Sequence, residues 1–501
     1  MDISGKSVKR ALAHHLSRGS ILLASSLVER ALYNDMLRMV VMKEIEKHVI
    51  AQMETTADPR WPKQVQQDKA DMVRAIIGSA DRALKRKQIS RKVLERLVKA
   101  FLVNLVLQQD KKAASAIEGF KHRHEGQSPP ATIVVSPTSI CNLRCIGCYA
   151  SSEAKGSQLQ WEIFNRILCE AKNLWGLRFF TISGGEPLAY RSQGKTLLDA
   201  VTEHSDCFFM MYTNGTLIDE AMAQKMADAG NLVPAISVEG FRTLTDQRRG
   251  AGVFDKILRA MANLRQVGVP FGISLTATRQ NAEEIFSEPF LDFFFNEQQA
   301  VFGWLFQYMP IGRSYTLELL ITPEQRLTMW RRTWQIIRHR KIMMADLWNC
   351  GTVTNGCIAA GQDGGSGYLY IDWNGQVMPC TFVPYAAANL QKIYARGGDL
   401  DTVLDLPYFR AIRHWQREYA LGKGDRTEYG NLLIPCSLRD HYDSGRRLIA
   451  AYGPEPEDQA AAEALADDEY RRGMISYDNA LRNLFDPIWE DEYLQRRNRA
   501  N

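Results

Sequence analysis

Three cysteines within eight residues are the feature of this sequence best suited to chemistry. Cys141, Cys145 and Cys148 stand in the segment CNLRCIGC, just after a short β-branched run. Cysteines this close together commonly bind one metal group. Three thiolates can hold three irons of a 4Fe–4S cube and leave the fourth iron open to another ligand. On this stretch alone, the alternatives are three structural cysteines or a zinc site completed by His122 or His124.

The chain as a whole has the composition of a globular protein. Its 501 residues exceed one ordinary core, so we expect two or three domains. Of these residues 45% are apolar and 24% are charged, and the net charge of +5 does not call for a nucleic-acid partner. In an intracellular chain, nine cysteines are more often metal ligands or core residues than disulfides.

The sequence predicts neither a secretory signal nor a membrane-spanning helix. The amino terminus is basic, but Glu29, Arg30 and Asp35 interrupt the apolar stretch that follows it. The run AFLVNLVL, which begins at Ala100, is far shorter than the roughly 20 residues needed to cross a bilayer. We therefore predict a cytoplasmic protein.

The order of apolar patterns divides the chain into four regions. Apolar residues recur at helical spacing through residues 1–125, and the polar linker KHRHEGQSPP follows them. Six short apolar runs then alternate with amphipathic segments, which predicts βαβ units and a parallel sheet, either an incomplete barrel or an open doubly wound sheet. These runs are ATIVVS, LRFFTIS, CFFMMYT, LVPAISV, FGISLTA and VFGWLFQYM.

After this alternation ends, the segment GYLYIDWNGQVMPC predicts a β-hairpin with its turn at WNGQ. From about His441 the chain is charged and again has a helical pattern. The predicted regions are therefore a helical domain at 1–125, a βα domain at 126–315, a cysteine-bearing α+β extension at 316–440 and a helical tail at 441–501.

The cysteine segment, followed by SGGEP at the end of the second predicted strand, resembles the radical S-adenosylmethionine (SAM) superfamily. The resemblance covers roughly residues 131–310, and it implies a partial (β/α)6 TIM-type barrel. It further implies that the three cysteines bind a 4Fe–4S cluster whose open iron chelates SAM. By the same resemblance, the segments SGGEP, YTNGT, ISVEG and DQRRG supply the SAM pocket, through Gly184, Gly185, Glu186, Pro187, Asn214, Ser237, Glu239 and Arg249.

One position departs from the family pattern. Family members often carry an aromatic residue just before the third cysteine, where it touches the adenine. Here that residue is Gly147, and the aromatic residue, Tyr149, follows the cysteine instead. Tyr149 is therefore the candidate from this loop for a contact with SAM.

The resemblance implies a reaction driven by the cofactor rather than by acid–base side chains. One electron, supplied by a donor of the flavodoxin or ferredoxin type, cleaves SAM to methionine and a 5′-deoxyadenosyl radical. That radical takes a hydrogen atom from an unactivated C–H bond of the substrate. A non-catalytic iron–sulfur carrier or scaffold is the alternative function, although SGGEP argues against it.

A second set of cysteines lies in the extension. The hairpin from Gly375 to Cys380 resembles the SPASM and twitch extensions, which carry auxiliary clusters. The resemblance predicts an auxiliary 4Fe–4S cluster on Cys357, Cys380 and Cys436, with Cys350 as a less direct candidate. The alternative is a vestigial domain whose cysteines are buried apolar residues. We expect Cys169 and Cys207, which have no ligand-like neighbours, to be core residues.

The substrate is defined least by the sequence, and two classes stay open. Many auxiliary-cluster enzymes modify peptides, but no winged-helix-like peptide-binding module is visible in the helical amino-terminal region. That region begins with a basic, partly apolar helix, which suggests a lipid-like substrate or a peripheral contact with the inner membrane. Its basic residues are Lys6, Lys9, Arg10 and Arg18. An ordinary helical bundle packed on the barrel is the simpler interpretation.

Overall fold

A computed structural model describes residues 32–56, 61–106, 110–362, 367–421 and 430–495. The basic residues between Lys6 and Arg18, and with them the proposed membrane contact, lie outside this part of the chain. Within it, no helix is long and apolar enough to cross a membrane.

The amino-terminal region is helical, as its apolar spacing predicts. Its helices are α1 (Asp35–Thr56), α2 (Lys63–Lys85), α3 (Arg91–Leu97, continued by a π-helical stretch at Val98–Val106) and α4 (Lys111–Arg123). The buried carboxylate of Asp68 on α2 ties this region to the rest of the protein. It accepts hydrogen bonds from the hydroxyls of Thr352 and Tyr493, each at 2.8 Å.

One ten-stranded sheet forms the centre of the molecule, in the order β10-β9-β8-β1-β2-β3-β4-β5-β6-β7. Neighbouring strands are parallel from β8 through β7, while β9 is antiparallel to both of its neighbours, β8 and β10. The strands are β1 (Ile133–Val135), β2 (Phe179–Ile182), β3 (Phe208–Thr213), β4 (Leu232–Val238), β5 (Gly272–Ala277), β6 (Phe302–Gln307), β7 (Met343–Asp346), β8 (Tyr370–Ile371), β9 (Gln376–Met378) and β10 (Ala388–Asn389). Strands β1 to β6 are the six runs that the sequence pattern predicts.

Helices cover the outer face of this curved sheet, as expected for a partial barrel. They are α5 (Trp161–Trp175), α6 (Leu197–Glu203), α7 (Glu220–Ala229), α8 (Arg242–Arg249), α9 (Val253–Val267), α10 (Glu288–Asp292) and α11 (Pro323–Gln335). Local signals set their ends: the side chain of Asp219 caps α7 by accepting the Met222 N–H at 2.7 Å, and Thr322 and Gln325 form a capping box on α11.

Side chains alternate along the strands between the helix-facing core and the barrel interior. On β2, Phe180 and Ile182 are fully buried in the core, whereas Phe179 and Thr181 face a central cavity. Because successive strand residues point to opposite faces, one apolar run serves both the core and the site.

The extension adds a strand to each edge of the six-stranded barrel, β8 next to β1 and β7 next to β6. The predicted hairpin is present as β8 and β9, and β8 adds to the free edge of β1. Two two-stranded sheets stand apart from the main sheet, Arg191–Ser192 with Lys195–Thr196 and Tyr385–Ala386 with Glu455–Pro456. The remaining helices are α12 (Gly351–Thr354), α13 (Leu390–Ala395), α14 (Leu400–Leu404), α15 (Pro407–Leu421), α16 (Tyr442–Tyr452), α17 (Gln459–Ala466) and α18 (Asp468–Ile488).

Candidate functional site

The first three cysteines lie on the loop that follows β1 and line one cavity at the carboxyl end of the strands. The loop is anchored at Cys141, whose N–H donates to the Glu153 carbonyl at 2.7 Å. Burial is the main cause that raises the pKa of the Cys141 thiol, to about 11, and the charges of Glu186, Cys145 and Cys148 raise it further. The charges of Cys145 and Cys148 therefore act on Cys141, as expected for cysteines that share one loop and one cavity.

Several N–H groups point at these sulfur atoms. The Leu143 N–H donates to Cys141 Sγ at 3.4 Å, and Asn214 Nδ2 donates to the same atom at 3.7 Å. Arg249 Nη1 lies 4.0 Å from Cys145 Sγ. Donors to thiolate sulfur stabilise the negative charge of an iron–sulfur cluster, so the surroundings of these cysteines fit such a group.

The Gly184–Gly185 pair brings the end of β2 against the cysteine loop. The Gly185 N–H donates to the Thr138 carbonyl at 2.8 Å, and Gly184 has a positive φ of 117°. A Cβ atom on Gly185 would collide with the carbonyl oxygens of Ser139 and Ile140. Glycine is therefore required here so that two backbone segments can meet beside the cavity.

Glu186 lies behind the cavity wall rather than in it. Its carboxylate is fully buried and accepts hydrogen bonds from the Thr213 hydroxyl at 2.8 Å, the Asn214 N–H at 2.9 Å and the Leu188 N–H at 3.2 Å. Burial raises its pKa, and the hydrogen bonds oppose that shift. The neighbouring Pro187 is also buried and starts a short 3₁₀ turn. Glu186 thus fixes the loop that carries Asn214.

Asn214 and Ser237, from the ends of β3 and β4, line the same cavity. The Asn214 side chain is held on both sides, since Nδ2 donates to Asn142 Oδ1 at 2.9 Å and Oδ1 accepts the Thr216 hydroxyl at 2.7 Å. Asn214 therefore links the end of β3 to the cysteine loop, through its contacts with Cys141 and Asn142.

A buried carboxylate holds two arginines at the cavity. Glu239 is 1% exposed and accepts 2.5 Å hydrogen bonds from both Arg248 and Arg249. Burial lowers the pKa of Arg249, but the charges of Glu239 and Cys145 outweigh it, so that pKa is raised. Both arginines line the cavity, whereas Glu239 stands behind them. Sequence reasoning named Arg249 and missed Arg248, because the family pattern does not distinguish the two members of DQRRG.

The departure at Gly147 has a physical cause. Gly147 has a φ of 63°, and a Cβ atom there would lie 2.7 Å from the ring of Tyr308, which follows β6 and lines the cavity. The place of a side chain at position 147 is therefore occupied by an aromatic ring from elsewhere in the chain. Tyr149 also lines the cavity, and its hydroxyl lies 2.7 Å from Ser183 Oγ and accepts the Gly184 N–H at 3.3 Å.

Arg313 is a second residue that sequence reasoning missed. Its guanidinium donates to the Cys145 carbonyl at 2.9 Å and to the Ser152 carbonyl. It therefore fastens the cysteine loop from the segment that follows β6. No motif could have revealed it, since the contact joins positions 168 residues apart.

The later cysteines form a second group beside the same cavity. The charges of Cys357 and Cys436 both raise the pKa of Cys380, although burial is the larger cause and brings it to about 12. The Phe382 N–H donates to Cys380 Sγ at 3.4 Å, and the Arg439 N–H donates to Cys436 Sγ at 3.4 Å. These donors again fit a cluster.

Cys350 is buried near the segment that carries Cys436. Burial raises its pKa, with Asp346 and Asp68 as the neighbouring charges that contribute. The next residue, Gly351, packs on Pro435, which precedes Cys436. Its role as a ligand stays a prediction.

The two remaining cysteines lie in secondary structure or next to it. Cys207 is buried directly before β3, and Cys169 is half-buried in α5. Among the described residues, no three His, Cys, Asp or Glu side chains are grouped closely enough to hold a single metal ion.

The cavity continues from the first cysteine loop into the barrel interior. Of the described side chains that line it, only Arg248 and Arg249 belong to a basic or acidic residue type. Aromatic and aliphatic residues are the largest class among the others, which also include serines and threonines, the three cysteines, three glycines and two amides. The interior is lined by Thr132, Val134, Phe179, Thr181, Met210, Tyr212, Ser274, Thr276, Trp304, Phe306, Gln307, Leu347, Ile358, Tyr368 and Phe382.

Comparisons with known proteins find a family match over the part of the chain that carries the first cysteine loop. Residues 135–286 match the model of the Radical SAM superfamily. The chain is 32% identical over 157 residues to Fe-coproporphyrin III synthase of Methanosarcina barkeri, which covers 30% of the chain and 38% of that relative. It is 25% identical to AdoMet-dependent heme synthase of the same organism, covering 64% of the chain and 94% of the relative.

A maturase and a solved structure also match. The chain is 26% identical to the mycofactocin maturase MftC of Mycolicibacterium smegmatis, covering 66% of the chain and 83% of the relative. The crystal structure of Streptococcus suis SuiB bound to the precursor peptide SuiA is similar in fold, with a TM-score of 0.51 and 20% identity over 72% of this chain and 81% of that one. Residues 135–286 are therefore a radical SAM domain, and the findings support an enzyme whose cofactors are a 4Fe–4S cluster and SAM.

Proposed function

We propose that Cys141, Cys145 and Cys148 hold the cluster that binds SAM, and that the enzyme removes a hydrogen atom from a C–H bond of a substrate in the barrel interior. When bound, the cluster and SAM supply a 5′-deoxyadenosyl radical for this step. The observation that carries the proposal is that the three thiols share one cavity with the SGGEP glycines and the residues that end β3 and β4.

The chain's own residues bind and orient SAM in this proposal. The bare backbone of Gly184 and Gly185 admits the methionine end, and the Arg249 guanidinium suits its carboxylate. Glu186 and Glu239 act from behind the wall by fixing Asn214 and the arginines. Tyr308, whose ring fills the place of a side chain at position 147, is our candidate for the adenine contact.

The barrel interior favours a substrate with an uncharged, apolar reacting group. Burying a charge there would be costly, because the described lining offers no basic or acidic partner deeper than the arginine pair. The likeness to a mycofactocin maturase supports a peptide, which would place one apolar side chain in the interior. A lipid-like substrate would satisfy the same lining and is the second candidate.

We further propose that Cys357, Cys380 and Cys436, with Cys350 as the candidate for a fourth ligand, hold an auxiliary 4Fe–4S cluster. Three mutually interacting thiols and two N–H donors to their sulfur atoms support this assignment. The electron donor would be a small flavodoxin or ferredoxin. Such clusters need reduced thiols, which favours action in the cytoplasm.

Product analysis tests the proposal. Anaerobically reconstituted protein, reduced with dithionite and given SAM, should release 5′-deoxyadenosine and methionine, and Cys145→Ala should not. Cys169→Ala is the matched control and should retain activity. Iron-loaded wild-type protein that leaves SAM intact would overturn the proposal in favour of a non-catalytic iron–sulfur protein.

The substrate class needs a separate measurement. A short peptide encoded beside this gene, deuterated at its apolar side chains, should transfer deuterium to 5′-deoxyadenosine. Unlabelled 5′-deoxyadenosine in the presence of the intact deuterated peptide would count against the peptide and leave the lipid-like class to be tested in the same way.

A further inference from the structure

Arg439 joins the second cysteine group to the barrel interior. Its backbone N–H donates to Cys436 Sγ at 3.4 Å, while its side chain reaches away and donates through Nη2 to Gln307 Oε1 at 2.5 Å. The side chain is fully buried, and its guanidinium carbon lies 4.5 Å from the centre of the Trp348 ring. The buried cation thus belongs to the residue whose backbone N–H binds a candidate cluster ligand.

Gln307 fixes the direction of this cation. It ends β6 and lines the cavity, and its Nε2 donates to both carboxylate oxygens of Asp346, at 3.1 and 2.9 Å. Because Nε2 is committed to Asp346, the amide must present Oε1 to Arg439. Asp346 therefore fixes the Gln307 amide, and Gln307 in turn fixes the direction of the Arg439 side chain.

The charge of Arg439 is only partly balanced by nearby protein groups. Its carboxylate neighbour, Asp440, lies 3.3 Å from Nε but is shared with Arg326, which binds it through two hydrogen bonds of 2.5 and 3.1 Å. Among the described residues, Nη1 of Arg439 is buried and has no hydrogen-bond acceptor. A buried guanidinium N–H without an acceptor is unfavourable, which points to an acceptor that arrives with a bound group.

We infer that Arg439 is a positioning residue that raises the reduction potential of the auxiliary cluster and links that cluster to the substrate cavity through Gln307. The inference rests on the proposed auxiliary cluster. Reduction adds one negative charge to a cluster, and a buried cation beside it stabilises that charge. A thiolate or sulfide of the cluster would be the acceptor that Nη1 lacks.

The test measures the auxiliary cluster alone. In the full chain carrying Cys141→Ala, Cys145→Ala and Cys148→Ala, only the auxiliary cluster should remain, and its midpoint potential can be measured by an EPR-monitored redox titration. Adding Arg439→Met should reduce the equilibrium constant for reduction by at least about tenfold, which is about 59 mV for one electron. Arg439→Lys keeps the charge without the fork, so its potential should lie between those of the other two proteins.

Two further variants separate charge from packing. Gln307→Leu frees the guanidinium from its orientation and should shift the potential by less than Arg439→Met does. Arg178→Met is the matched control, because Arg178 is also a buried arginine, paired with Asp110 at 2.7 Å before β2, and it should leave the potential unchanged.

The outcomes are distinct. An iron-free triple-alanine protein would overturn the auxiliary cluster and this inference together. Iron-loaded triple-alanine protein whose potential is the same before and after the Arg439→Met substitution would overturn the inference alone. If Arg439→Met does not fold, the other two variants decide. The inference would be overturned if Arg439→Lys and Gln307→Leu both have the midpoint potential of the triple-alanine parent.

Discussion

Replacing Glu186 with glutamine tests whether this carboxylate acts through Asn214. The carboxylate receives three donors, and one of its oxygens, Oε2, accepts the Asn214 N–H at 2.9 Å. Glutamine keeps the shape of the side chain but must place an NH2 group where one donor now points, so at least one hydrogen bond is lost. The loop between β3 and α7 should then relax away from the cysteine loop.

The size of the effect follows from the lost bond. A hydrogen bond to a buried charged group contributes about 2 kcal/mol. If this free energy is lost from SAM binding, the dissociation constant should rise about 30-fold, since about 1.4 kcal/mol corresponds to a factor of ten. Iron content should stay at the wild-type level, because Glu186 does not contact the sulfur atoms through a hydrogen bond. Glu162→Gln, at an exposed carboxylate on α5, is the matched control.

The assay is anaerobic calorimetry of SAM binding to Glu186→Gln, Asn214→Ala and the double variant. If Glu186 works by holding Asn214, the two losses should be clearly less than additive, because they remove one shared arrangement. Additive losses would refute this reasoning and would indicate that Glu186 contacts SAM independently. A Glu186→Gln protein that binds SAM as tightly as the wild type would refute it also.

Three further outcomes are expected. Gly185→Ala should sharply reduce the iron bound by the first cysteine loop, because its Cβ atom would collide with the Ser139 and Ile140 carbonyls. Gly119→Ala, in the interior of α4, is the control and should leave the iron content unchanged. Equal iron content in both variants would contradict the close approach of Gly185 to the cysteine loop. Burial lowers the pKa of His204 to about 4, so its stabilising contribution is complete above its unfolded pKa of 6.5 and is lost as the pH falls toward 4. Urea unfolding should therefore show about 2 kcal/mol less stability at pH 5 than at pH 7 from this group, and His204→Gln should reduce that difference; an unchanged difference would be inconsistent with a neutral buried histidine. Wild-type protein should bind about eight irons, and the double variant Cys380→Ala, Cys436→Ala should lose about half of them. The control double variant Cys169→Ala, Cys207→Ala should lose none. Full iron content in the Cys380→Ala, Cys436→Ala protein would refute the auxiliary cluster.

The central strands were predictable because their signal is local. β1 to β6 each coincide with a short apolar run, and the turn WNGQ marks the hairpin of β8 and β9. The cysteine loop and SGGEP were recognisable because their spacing is itself the functional requirement. β7 was not predicted. Its four residues, Met343–Asp346, are too few to show the alternation of a strand, and only the pairing with β6 reveals it.

Other features of the site depend on contacts between distant parts of the chain. The ring of Tyr308 occupies the space beside Gly147, Arg313 fastens the cysteine loop, and Arg439 reaches Gln307. Glu186 and Glu239 also hold residues from other elements, Asn214 and the two arginines, and their expected contacts with SAM stay predictions. A linear pattern records residue types and spacing, and it does not record which side chain turns toward the cavity.

The central claim is that Cys141, Cys145 and Cys148 hold a cluster with an iron that is open to SAM. The most direct measurement is the EPR spectrum of the dithionite-reduced Cys357→Ala, Cys380→Ala, Cys436→Ala variant, in which only that cluster should remain, recorded with and without SAM. We predict a 4Fe–4S signal whose shape changes when SAM is added. A signal that SAM leaves unchanged, or a variant that binds no iron, would contradict the claim.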